Sequence, residues 1–215
     1  MRENMLARKW RPVKFAEVVG QEKVILTLRN AIKNNSVHQA LLFSGPRGTG
    51  KTTVARILAK ALNCNNRDEN AEPCNECHSC RTFQEGRSLN ILEIDAASHN
   101  QVDNIRELIE NVKYQPVDGK YKVYIIDEVH MLSQAAFNAF LKTLEEPPSY
   151  AIFILATTEK HKVIPTILSR CQVFQFRRLR NEEIVSHLKV VAQAEGINIT
   201  EEALFTIAEM SDGAM

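Results

Sequence analysis

At 215 residues the chain is long enough for one large core, or for one core with a small satellite domain. Its 27 basic and 26 acidic residues leave a net charge of +1. That balance excludes a protein that grips nucleic acid over its whole surface, so any contact with DNA must come from a local patch or from an assembly.

The start, Met1-Arg2-Glu3-Asn4, leads into no apolar signal region, and no apolar run approaches the ~20 residues of a membrane span. The expectation is a cytoplasmic protein without membrane contact. In such a reducing compartment five cysteines point to metal or free thiols rather than disulfides. The cluster Arg8-Lys9-Trp10-Arg11-Pro12 and the stretch Phe15-Ala16-Glu17-Val18-Val19-Gly20 have two possible fates. One is a solvated arm ended by a turn. The other folds over the mouth of a nucleotide site, with Arg11 beside the nucleotide and Val18 and Val19 as an apolar wall for a purine. From Gln21 to Asn34, Val24, Ile25, Leu28 and Ile32 recur at helical spacing and give one inward face. His38 reads as structural.

The stretch 40–60 organises the rest. An apolar strand (Ala40-Leu41-Leu42-Phe43) and Ser44 lead into Gly45-Pro46-Arg47-Gly48-Thr49-Gly50-Lys51-Thr52-Thr53. A helix follows through Val54, Ile57, Leu58 and Leu62. The loop fits G-x-x-x-x-G-K-[ST] in full, between the strand and the helix that such a loop requires. The chemistry is anion capture. Glycines accept positive φ and let several N–H groups converge on a phosphate, and the helix start adds its dipole. Lys51 would bring a full charge to the β- and γ-phosphates, and Thr52 a hydroxyl to Mg²⁺.

Cys64, Cys74, Cys77 and Cys80 follow. Two C-x-x-C steps share Cys77, and four thiolates suit tetrahedral Zn²⁺ with no position open to substrate. Such a metal would be structural, stapling the polar excursion from Asn65 to Glu72 that has too few apolar groups to fold alone. His78 is a possible competing ligand, and free cysteines or a redox pair are the other readings of this spacing.

Three nearly continuous apolar runs then read as buried strands: Ile91 to Asp95, Lys122 to Asp127, and Ala151 to Thr157. A shorter one covers Val173 to Phe176. Helices are expected over Val102–Tyr114 and Ser133–Glu145. Strand alternating with helix predicts an α/β fold with a mostly parallel, five-stranded sheet covered on both faces. Beyond Arg177 the pattern becomes helical, with starts at Asn181-Glu182-Glu183 and Thr200-Glu201-Glu202.

Asp127 and Glu128 end a buried strand expected to neighbour that of the phosphate loop. There Asp127 would hold Mg²⁺, directly or through water, and Glu128 would polarise the water that attacks the γ-phosphate. Thr157 and Thr158, at another strand tip, could hydrogen-bond the γ-phosphate or that water, or simply form a turn. Arg170 is either a solvated charge or an arginine finger for a neighbouring subunit's nucleotide.

Taken together, Arg11-Pro12, Phe15, Val18-Val19-Gly20-Gln21, the 45–52 loop, the four cysteines, Asp127-Glu128-Val129-His130, Leu144-Glu145-Glu146-Pro147-Pro148, Thr157-Thr158 and Ser169-Arg170-Cys171 resemble the gamma/tau subunits of the bacterial DNA polymerase III clamp loader. The resemblance covers essentially the whole chain. It implies an AAA+ ATPase with nucleotide sites between subunits, working with other clamp-loader subunits to open the sliding clamp and set it on primed DNA. It also places the chain in the DNA-directed DNA polymerase holoenzyme without polymerising itself. It implies ATP, Mg²⁺ and Zn²⁺ as cofactors. It makes Thr157 the first sensor and Arg170 a residue acting in trans, and it turns Ser98 to Asn104 towards DNA phosphates. Residues 1–178 would be the nucleotide-binding domain, with a zinc module at about 64–80, and 179–215 a helical lid. The family pattern continues past Gly213 into an arginine-bearing second sensor, a collar and, in tau, a further extension, so the expectation is a truncated lid. A stator-like subunit that scaffolds without hydrolysing is the alternative, and so is a fragment that binds ATP without turnover. A two-domain helicase would need a second RecA-like domain, and a P-loop kinase an acceptor pocket in place of Glu128.

Overall fold

Five apolar runs meet in a single sheet: β1 (Ala40–Ser44), β2 (Ile91–Asp95), β3 (Lys122–Asp127), β4 (Ala151–Thr157) and β5 (Gln172–Gln175). The computed structural model describes residues 6–97, 101–117 and 119–215, with the backbone alone at 101–104. Strand order is β2-β3-β4-β1-β5, and every pairing is parallel. The sheet expected to be mostly parallel is thus wholly so. One expectation needs correcting. The phosphate-loop strand β1 and the acid-bearing strand β3 are not neighbours, because β4 lies between them.

Around the sheet lie α1 (Leu6–Lys9), α2 (Glu22–Lys33), α3 (Lys51–Asn63), α4 (His78–Gln84), α5 (Gln101–Val112), α6 (Gln134–Glu145), α7 (Pro165–Leu168), α8 (Asn181–Glu195) and α9 (Glu201–Met210). Most ends fall within two residues of the periodicity, as the fraying of helix ends leads one to expect. Ser133 caps α6 by accepting from the Ala136 N–H, and Thr200 does the same for Ala203 at α9. The helix α4 has no counterpart in the sequence reading, since seven residues with two buried positions give too little periodicity to see.

Alternation along the buried strands builds two cores, one on each face. Leu41, Phe43, Ile152 and Ile154 face one way, where α2 and α3 pack. Leu42, Phe153 and Leu155 face the other, against α5, α6 and α7. Phe153 is fully buried, stacked on Tyr124 at 5.3 Å and edge-on to Phe140 at 5.2 Å. A ring of that kind contributes roughly 1.5–3 kcal/mol by leaving water. A third, smaller cluster joins Leu179, Ile184, Val185, Leu204 and Ala208 on the packed pair α8 and α9, and Val19 leans on it.

The register fixes the functional edge. Ser44 pairs with Thr157 and Asp95 with Asp127, so the carboxyl ends of four strands finish side by side. Ligands of open parallel sheets bind at such an edge.

Candidate nucleotide site and cysteine cluster

The loop after β1 bends sharply against β5. Gly45 has φ +154, and a Cβ there would lie 2.4 Å from the Phe176 carbonyl oxygen. Gly50, at φ +93, starts α3 in the left-handed region. Its missing side chain would project across the loop towards Val18 Cγ1, 4.0 Å away. The positive φ at both positions, and at Gly45 the nearby Phe176 carbonyl, are what call for glycine there.

Lys51 and Thr52 open α3. Lys51 is buried to 6% exposure, and its ammonium donates to the carbonyls of Gly45 (2.8 Å) and Pro46 (2.7 Å). Burial lowers its pKa, and the nearby Glu128 and Asp127 carboxylates work in the opposite direction. The Thr52 hydroxyl donates to Asp127 Oδ2 over 2.7 Å. One residue on, Glu128 takes a left-handed backbone, φ 47 and ψ 46. That conformation is uncommon for a non-glycine residue and concentrates at functional sites.

These elements surround a cleft of about 990 Å³. Its walls include Arg11, Val18, Val19, Arg47, Gly48, Thr49, Gly50, Lys51, Thr52, Thr53, Asp127 and Glu128, so twelve of the residues singled out from sequence come together. Gly45 and Pro46 form the back of the loop. Leu6, Ala7, Trp10 and Pro12 also line the cleft, and the Trp10 indole donates to Glu195 Oε1 over 2.7 Å. The N-terminal segment therefore folds over the mouth of the loop rather than standing away as a solvated arm. Met215 is at the rim, its N–H donating to Gly48 O at 2.9 Å.

Thr157 sits behind the wall. It is fully buried, its hydroxyl 3.0 Å from His130 Nδ1 and accepting from the Glu159 N–H. Thr158 is the threonine on the cleft itself, and it donates to Glu128 Oε2 from its N–H (3.2 Å) and its hydroxyl (3.0 Å). Arg170 is not brought to this cleft. Its guanidinium pairs with Glu145 at 2.7 Å and donates to Thr166 O at 2.6 Å. The expectation for Ser98 to Asn104 falls outside the described side chains.

Sequence reasoning gave no role to four residues that the structure puts here. Gln21, 3% exposed, donates to Thr49 O (3.2 Å) and Arg177 O (2.8 Å), stitching the phosphate loop to the lead-in of α8. Asp95 and His187 line the cleft, and burial lowers the His187 pKa. His130 touches both Thr157 and Glu128. For Asp95 the available signal is its place at the end of an apolar run, like Asp127. For Gln21 and His187 the sequence carries none, because Gln21 acts through carbonyls 28 and 156 residues away and His187 through burial in the folded chain.

The four cysteines also converge. The sulfurs of Cys64, Cys74, Cys77 and Cys80 all lie within 4.8 Å of one another, and a tetrahedral Zn²⁺ would set them about 3.8 Å apart from Zn–S bonds of ~2.3 Å. Among the described residues this group does not include His78. N–H groups point at the sulfurs: Cys74 to Cys64 Sγ at 3.3 Å, and Cys77 to Cys74 Sγ at 3.2 Å. Burial pushes the Cys80 thiol up strongly. At Cys74 burial pushes upward too, but the N–H groups of Glu76 and Cys77 outweigh it and bring the thiol down to about 7. The set suits a thiophilic metal. The excursion itself departs from expectation, since Ala71 and Glu72 are buried at 1% and 6% exposure rather than part of a polar loop. Glu72 finds donors inside.

No helix among the described residues is long and apolar enough to cross a membrane. A family model described as DNA polymerase III, delta subunit, matches residues 20–180. DNA polymerase III subunit tau/gamma of Haemophilus influenzae is 50% identical over 215 residues, which is 100% of this chain and 31% of that protein. Subunit tau of Bacillus subtilis is 52% identical over 210 residues, 98% of this chain and 37% of that protein. Subunit tau of Escherichia coli is 48% identical over 215 residues, 100% and 33%. The chain thus spans about a third of the length of these relatives. Among solved structures, the Thermotoga maritima RuvB Holliday junction branch migration motor superposes with a TM-score of 0.67 at 22% identity, over 95% of this chain and 61% of that one. At that identity the likeness shows the fold alone: the expected α/β architecture with a five-stranded parallel sheet. The chain belongs to the family of DNA polymerase III subunits that the family model describes, and it is about half identical to tau and gamma subunits over nearly all of its length.

Proposed function

We propose that the chain is the ATP-binding and ATP-hydrolysing motor portion of a clamp-loader subunit. As such it would act with other loader subunits in the cytoplasm to open the sliding clamp and load it on primed DNA. The observation that carries this reading is the 2.7 Å contact from Thr52 Oγ1 to Asp127 Oδ2. It draws a hydroxyl of the phosphate loop and a carboxylate of β3 to one point, beside the Glu128 that lines the same cleft.

In this reading the amides of 45–52 and the Lys51 ammonium bind the phosphates, and Arg11, Val18 and Val19 flank the base side. Thr52 and Asp127 would hold Mg²⁺, which when bound neutralises phosphate charge and orients the leaving group. Glu128 accepts the proton of the attacking water. Thr157, acting from behind Thr158, reports on the γ-phosphate. Arg170, half-buried and held by Glu145, serves a neighbouring subunit's site. Cys64, Cys74, Cys77 and Cys80 would hold a structural zinc, and residues 179–215, carrying α8 and α9, belong to a lid that moves with nucleotide.

Binding without turnover is the second reading, and one observation favours it. Glu128 Oε2 is engaged by Thr158 and lies 3.3 Å from His130, so the base is held until that contact breaks. The test is the magnesium dependence of ATP binding. Asp127→Asn should bind ATP with little response to Mg²⁺, and an undiminished response would remove Asp127 from the metal position.

A further inference from the structure

Glu72 and Lys60 are buried charges that nucleotide chemistry does not use. Glu72 lies two residues before Cys74, inside the excursion that the cysteines close. A tight turn aims it inward: Asp68 Oδ1 accepts from the N–H groups of Asn70 (2.9 Å) and Glu72 (2.8 Å). Its two oxygens then accept from consecutive backbone N–H groups, Phe15 at 2.6 Å and Ala16 at 2.8 Å, and Arg29 of α2 pairs with the same carboxylate. Lys60 of α3, 3% exposed, donates on one side to Val13 O (3.1 Å) and on the other to Asn75, between Cys74 and Cys77. Segment 13–16 is therefore held at Val13 by Lys60 of α3, which also engages the excursion's Asn75, while Glu72, some 60 residues further on in that excursion, directly holds Phe15 and Ala16. Two residues later come Val18 and Val19, on the wall of the cleft.

A buried carboxylate is costly unless donors fully satisfy it. Spending one here, on two amides of a segment remote in sequence, fixes where that segment lies. The excursion contributes few apolar side chains to its own anchoring, so its shape depends on the cysteine cluster.

We infer that Glu72 is a positioning residue for the base side of the nucleotide cleft, and that metal in the cysteine cluster and nucleotide in the cleft therefore bind with positive coupling. The inference rests on the proposed nucleotide site. Coupling of this kind is reciprocal, because each ligand favours the same arrangement of 13–19.

The experiment uses the full chain and two probes, Mg-ATP and magnesium tripolyphosphate, which lacks a base. Wild type should bind both. Glu72→Ala should bind ATP about tenfold more weakly with tripolyphosphate unchanged and metal content retained, and Glu72→Gln should recover part of the loss. Wild type stripped of metal by a chelator should show the same ATP-selective loss. In both cases the Phe15 and Ala16 amides should lose hydrogen-exchange protection. Affinities for the two probes falling together, or protection at Phe15 and Ala16 surviving metal removal, would overturn the inference. Wild type that binds neither probe would instead overturn the nucleotide site itself.

Discussion

The Thr52 hydroxyl donates to the Asp127 carboxylate across 2.7 Å, joining residues 75 positions apart and two strands distant in the sheet. The contact brings the start of α3 and the tip of β3 together. It also decides the geometry around it, since Asp127 Oδ1 accepts from the Glu128 N–H at 3.0 Å. The strand tip is thereby turned, and Glu128 is set on the cleft wall.

Glu128→Gln should keep ATP affinity within about threefold and lower turnover by about 10²–10⁴-fold, the range for loss of a general base. Steady-state hydrolysis beside equilibrium binding checks it. Equal losses in both would show that Glu128 serves binding rather than proton transfer.

Arg170→Ala should leave nucleotide binding by its own chain unchanged and depress hydrolysis only in an assembled loader. Its guanidinium touches Glu145 and Thr166 rather than the cleft. Mixing mutant and wild-type subunits locates the effect. A defect confined to the mutant's own site would contradict action in trans.

Elemental analysis should find one zinc per chain, dependent on Cys80 and indifferent to Cys171. Cys80→Ser removes one of four converging sulfurs, whereas Cys171 lies outside that group and burial pushes its thiol up to about 12. Metal content near zero after native purification, or unchanged in Cys80→Ser, would contradict a four-cysteine site.

Glu183, in the first turn of α8, ties that helix to the segment leading into it. Hydrogen bonding from Arg177 at 2.7 Å outweighs burial and brings its carboxyl down to about 2. A depressed carboxyl stabilises the fold above its ordinary pKa near 4.5 and loses that contribution as pH falls towards 2. Glu183→Gln should therefore be less stable than wild type at pH 7, with the gap narrowing between about pH 4.5 and 2. Thermal melts across that window measure it, and a gap independent of pH would show that the charge is irrelevant.

Much of this architecture is legible in the sequence because its strands are buried on both faces. Ile91–Asp95, Lys122–Asp127 and Ala151–Thr157 stand out as unbroken apolar runs, and the phosphate loop announces itself by glycine and lysine spacing. Strand order does not, since nothing in the Lys122 or Ala151 run says that β4 comes between β1 and β3. Helix α4 and the inward turn of Glu72 were equally hidden, because polar residues reveal a fold only through their partners. Gln21 is the sharpest case: a lone glutamine before a helix looks solvated, yet its amide joins three segments.

Equilibrium binding of Mg-ATP to the 215-residue chain, wild type against Lys51→Ala, tests the nucleotide assignment most directly. Lys51 brings the buried ammonium at the base of the phosphate loop, so the account predicts saturable binding by wild type and a loss of about a hundredfold or more in the variant, with the fold retained by circular dichroism. An unchanged affinity, or no binding by a folded wild-type chain, would contradict it.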